Sequence, residues 1–144
     1  VSRNRQAPAP HALVLELMTE SLSIVRLKPD APLPGWAGGT WWSMTRTPEE
    51  LSVVCETGMV PPGVSCAGPW RALKVRGPLD FALTGVLDRI AGPLAAAGIS
   101  LFAVSTYDTD YVLVRRERVD EAIACLREAG LVVQAPGSKA SSTG

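Results

Sequence analysis

The residues best suited to chemistry lie in one run, Ser105-Thr106-Tyr107-Asp108-Thr109-Asp110-Tyr111, between two apolar stretches. Asp110 there offers a carboxylate to a ligand amine and Thr106 a hydroxyl, although Asp and Thr equally suit a plain turn. A catalytic carboxylate pair or a metal-binding D-x-D is a third reading. It fares worst, because no histidine, second acidic cluster or phosphate-cradling motif accompanies it. A second candidate is Gly77-Pro78-Leu79-Asp80-Phe81-Ala82-Leu83-Thr84-Gly85-Val86, a passage from strand into helix. Free amides at a helix start bind carboxylates and phosphates, and glycines let a ligand approach the backbone. The plainer alternative is that Gly-Pro ends a strand and Asp80 or Thr84 caps the helix.

Counting excludes several other classes. The only histidine among 144 residues is His11, so no His-based triad or multi-histidine metal site can form. Cys55, Cys66 and Cys125 are odd in number and form no C-x-x-C pair, which suits buried thiols in a reducing, cytoplasmic setting. Fourteen basic residues balance fourteen acidic ones, against the basic excess expected of a nucleic-acid binder. No cofactor is implied. Residues 90–107 are uncharged and long enough to raise a membrane span. Gly92, Pro93, Gly98 and a change of period halfway make them helix, turn and strand, so no membrane partner is expected.

The elements that must position these residues follow from periodicity. Residues 70–76 alternate Leu73 and Val75 with Lys74 and Arg76, as a half-buried strand does. Leu83, Val86, Leu87, Ile90, Leu94 and Ala97 give a helical face ended by Gly98, with Pro93 expected to kink it. Residues 99–104 and 111–114 are strands, Val119, Ala122, Ile123 and Leu126 form a second helical face, and 131–135 closes with a strand. The order is β-α-β-β-α-β, the ferredoxin-like arrangement. The two apolar strands should have both faces covered, by the other half or by another subunit.

The first half keeps strands at 13–17, 22–27, 41–44 and 51–55, but its prolines and glycines between 29 and 39 forbid a full helix. Sliding the chain by 61 positions puts Thr45 on Thr106, Val53 on Val114 and Glu56 on Glu117. The expectation is therefore an α+β protein of two fused ferredoxin-like units, at 12–68 and 69–136, the first degenerate with shortened helices. Residues 1–11 and 137–144 read as polar, disordered tails. The Trp36, Trp41 and Trp42 cluster reads best as a cap on the open end of a small core. The other options are a ligand lid and an exposed interface patch. Cys125 reads as core.

Residues 42–55 (WSMTRTPEELSVVC), 70–75 (WRALKV) and 98–114 (GISLFAVSTYDTDYVLV) resemble the small bacterial tandem ACT-domain proteins, which are similar to half of the CASTOR arginine sensors. The resemblance runs over residues 12–135. It implies a regulatory domain without catalytic activity that binds an amino acid or similar small metabolite between ACT units. By matching position it points to Gly85 and Val86 in the loop and to Thr106, Tyr107, Thr109 and Asp110 in the hairpin; Asp80 and Thr84 join them on the helix-start argument. The sensors carry four units and this chain two, so an equivalent interface requires a homodimer. Where the sensors place an acidic residue before the loop glycine, Leu83 and Thr84 stand here. The competing reading is a protein-interaction or scaffold domain with a vestigial pocket, which would use the Trp36–Trp42 stretch as its contact surface.

Overall fold

The computed structural model describes residues 13–77 and 85–136. Asp80 and Thr84 lie outside the described residues. Ten elements follow in order: β1 (Val14–Leu17), β2 (Leu22–Leu27), β3 (Ser43–Arg46), β4 (Leu51–Glu56), β5 (Ala67–Val75), α1 (Val86–Ala96), β6 (Leu101–Ser105), β7 (Asp110–Arg115), α2 (Val119–Glu128) and β8 (Val132–Gln134). Short 3-10 turns follow β4 and β7.

All eight strands join one sheet, with β5 at its centre. One edge of β5 is shared: its start pairs with β2 (Trp70 opposite Leu22) and its end with β1 (Leu73 opposite Leu17). β7 runs antiparallel along the other edge, from Trp70 opposite Arg115 to Lys74 opposite Tyr111, and β6 pairs with β7. The second half thus has the order β8-β1-β5-β7-β6 with both helices on one face. β1, expected as the first strand of the first unit, instead lies between β5 and β8 and runs parallel to β8. Local alternation marks a strand but does not name its partner.

The halves are built alike. β4 and β7 are offset by 59 positions, and so are the 3-10 turns that follow them. The turns before them share this offset and a hydrogen-bond pattern. Thr47 N–H donates to the Glu50 carbonyl at 2.8 Å and its Oγ1 accepts from Glu50 N–H at 3.1 Å. Thr106 and Thr109 repeat both contacts, at 2.8 and 3.3 Å. The true register is therefore 59, not the 61 suggested by three identities. Both numbers are odd, so every side chain keeps its face.

Three apolar clusters layer the molecule. On the helical face, Leu73, Val75, Val112 and Val114 pack against Ile90 and Leu94 of α1 and Ala122 and Leu126 of α2, all of them fully buried. The opposite face of β5, β6 and β7 meets the first half through Leu22, Val54, Trp70, Ala72 and Leu113. Both faces of β7 are covered, as its unbroken apolar run requires. In the first half Val25, Leu51, Val53 and Cys55 occupy the face that helices cover in the second. Coil covers it here: Ala31, Trp36 and Ala37 from one segment, Val60 and Val64 from another. Among the described residues the first half has no α-helix, so its helices are absent rather than shortened. Arg46 pins the first of these segments through the carbonyls of Pro29 and Ala31.

Pro93 lies inside α1 without interrupting it, at the cost of the amide that would have bonded to Arg89. Cys125 of α2 donates its thiol to the Pro93 carbonyl at 3.1 Å, joining the helices. Left-handed glycines end both helices, Gly98 (φ 70°) and Gly130 (φ 93°), and let Ile99 and Leu131 turn back onto them.

Candidate functional site

The β6–β7 hairpin projects at the C-terminal end of β5, the end from which the chain passes into α1. Its turn is closed by Thr106 and Thr109. Thr109 is buried and donates its hydroxyl to the Val75 carbonyl at 2.5 Å, fastening the hairpin to β5. Tyr107 is 81% exposed at the tip. Thr106 and Thr109 thus shape the site, while Tyr107 and Asp110 present chemistry around it.

Asp110 opens β7 on the same face as Val112 and Val114, the face that carries the helices. Its Oδ1 accepts a 2.7 Å hydrogen bond from Ser105 Oγ directly across the hairpin. The internal repeat shows how unusual this is. The equivalent residue in the first half is Leu51, fully buried in its core. A carboxylate therefore stands where the sister hairpin buries leucine.

Gly85 and Val86 lie on that face too, since Val86 starts α1 and packs against the helical core. Gly85 is left-handed (φ 76°) and itself offers no side-chain cap, so among the described residues no side chain occupies the first-turn amides. Helix start and Asp110 share one face and one end of the sheet.

On the opposite face, a cavity of about 200 Å³ is lined by Lys74, Gly77, Thr106, Asp108, Thr109 and Tyr111. The first residue of the strand-to-helix passage and the acidic hairpin thus meet at one cavity. Asp108 and Tyr111 belong to the hairpin run read from sequence, Asp108 there only as half of the D-x-D, whereas alternation marks Lys74 only as a solvated strand position. Trp41 meets Tyr111 edge-on at 5.2 Å and belongs with Trp36 to the apolar clusters, whereas Trp42 is 53% exposed. Cys55 is buried, which with Cys66 and Glu56 nearby pushes its thiol up from the ordinary value. Cys125 is half-buried and Cys66 exposed. No group of His, Cys, Asp or Glu among the described residues could hold a metal, and no described helix is long and apolar enough to cross a membrane.

Residues 65–128 match the ACT domain family, and residues 20–63 match a family described as an N-terminal domain. A protein of Agobacterium tumefaciens of known crystal structure is 35% identical, with 87% of this chain and 94% of that one superposed at a TM-score of 0.81. The chain belongs to the ACT-domain family. This ACT-domain protein is also 42% identical over 65 residues to the human cytosolic arginine sensor for mTORC1 subunit 1, a match covering 43% of the chain and 20% of the sensor. The chain thus spans about a fifth of the length of that relative. The regulatory subunit of aspartate kinase from Thermus thermophilus, 12% identical, shares the fold at a TM-score of 0.58, over 83% of this chain and 99% of that one.

Proposed function

We propose that this ACT-domain protein is a non-catalytic regulatory module that binds a free amino acid or similar small metabolite on the helical face of the β6–β7 hairpin. The observation that carries this reading is Asp110, a carboxylate replacing the buried leucine of the sister hairpin. It would take the ligand's ammonium or guanidinium, while amides at Gly85 and Val86 take the α-carboxylate. Thr106, Tyr107 and Thr109 frame the mouth. A cytoplasmic homodimer would cover the ligand with a second copy of the site. Binding would then favour whichever arrangement of subunits contacts the ligand more fully. The arginine-sensor relative supports the ligand class but not arginine itself, because Leu83 and Thr84 stand before the loop glycine.

Thermal denaturation against a panel of amino acids tests this. A ligand at about 100 times its Kd adds about 2.7 kcal/mol, about 5–10 °C for a chain of this size. At least one amino acid is expected to stabilise the parent and not Asp110→Ala. No stabiliser, or the same stabilisation in both proteins, would overturn the proposal. A scaffold role is favoured by Leu33 (65% exposed) and Trp42 on the first-half coil. In that case Trp42→Ala abolishes partner binding and Asp110→Ala does not.

A further inference from the structure

The internal repeat allows one half to be read against the other on the face away from the helices. Arg26 of β2 pairs with Ser52 of β4, and Lys74 of β5 pairs with Tyr111 of β7. Ser52 and Tyr111 are equivalent at the 59-residue offset, so Arg26 and Lys74 hold the same place in the two halves. Arg26 has a built-in counter-ion, since its Nε lies 3.6 Å from Glu50 Oε2. The residue equivalent to Glu50 is Thr109, whose hydroxyl is committed to the Val75 carbonyl. Among the described residues no carboxylate forms an ion pair with Lys74. It lines the 200 Å³ cavity with Asp108, which makes no ion pair with it either. One cation, one anion, Thr106, Thr109 and the Tyr111 ring thus line an open-mouthed space of amino-acid size.

We propose that this cavity is a second binding site, on the opposite face of the sheet from Asp110, for a small zwitterion. Its carboxylate occupies at Lys74 the place that Glu50 fills at Arg26, and its ammonium faces Asp108. A cation with threonine where its twin has a glutamate is what a site for an incoming carboxylate requires, and the charge-assisted pair supplies selectivity. Tyr111 forms one wall and touches Trp41, so occupancy at this face bears on the packing of the first-half coil. The proposal uses residues other than Asp110 and stands or falls separately from the reading above.

Amide chemical-shift mapping by NMR on the full chain provides the test. The probes are individual amino acids, with acetate and methylammonium as carboxylate-only and amine-only controls. Saturable shifts at Lys74, Asp108 and Tyr111 are expected with an amino acid and much weaker ones with either control. Lys74→Gln should weaken binding at this face by about 10-fold or more. Lys74→Arg, which installs the residue found at position 26, should retain it. Persistence of these shifts in Asp110→Asn would separate the cavity from the helical-face site. No shift at these residues with any probe, or equal affinity in Lys74→Gln, would overturn the proposal, whatever happens at Asp110.

Discussion

Replacing Asp110 with leucine imports the residue of the sister hairpin and separates binding from stability. Leu51 is fully buried at the equivalent place, whereas Asp110 is half-buried, so the new side chain gains only part of a leucine's burial energy. Full burial is worth about 1.5–3 kcal/mol, so about half of that is available here. Against it stands the loss of the Ser105–Asp110 hydrogen bond, worth about 1 kcal/mol at a site water still reaches. Ser105 is exposed and recovers a water partner. The two contributions nearly cancel, and the variant should unfold within about 1 kcal/mol of the parent, a melting shift of at most about 4 °C. Binding behaves differently, because a charged hydrogen bond to the ligand worth about 1.5–3 kcal/mol corresponds to about 10- to 150-fold in Kd. Urea denaturation and calorimetric titration with the amino acid found by thermal screening measure the two quantities. Destabilisation beyond about 2 kcal/mol would make Asp110 a structural residue. Affinity within about threefold of the parent would remove it from the site.

Other substitutions probe the scaffold. Thr109→Val keeps the shape but strands the buried Val75 carbonyl, and should cost about 1–3 kcal/mol in chemical denaturation. Gly39→Ala places a methyl group against the Glu56 carboxylate at φ 96°, and the melting temperature should fall by more than the few degrees that go with about 1 kcal/mol. Cys55 responds to alkali. Its folded pKa is raised by burial, then by Cys66 and Glu56, so its contribution to stability is complete below the ordinary thiol value of 9.0 and lost as pH rises through the raised one. Cys55→Val should flatten the alkaline fall of stability, and in the parent a thiol reagent should label Cys66 well before Cys55.

Much of this architecture is legible in the chain because burial writes itself as period. Leu73 and Val75 alternating with Lys74, and Val119, Ala122 and Leu126 at helical spacing, mark β5 and α2 before any partner is known. What periodicity does not carry is partnership. β1 has the pattern of a half-buried strand in either unit, and only its pairing with Val75 and Val132 places it in the second. The repeat was visible while its register was two residues off, because conserved geometry at Thr47 and Thr106 specifies it better than scattered identities do. Asp110 is conspicuous in sequence as an acid bordering an apolar strand. Lys74 is not, since a lysine on a strand's outer row looks solvated until its twin Arg26 is seen to have a partner that Lys74 lacks among the described residues.

The most direct test is a crystal structure of the chain grown with the stabilising amino acid. Density for that molecule is expected on the helical face of the β6–β7 hairpin, its cationic group within hydrogen-bond distance of Asp110 and its carboxylate against the amides that begin α1. A fully occupied ligand elsewhere, with Asp110 still bonded only to Ser105, would contradict it.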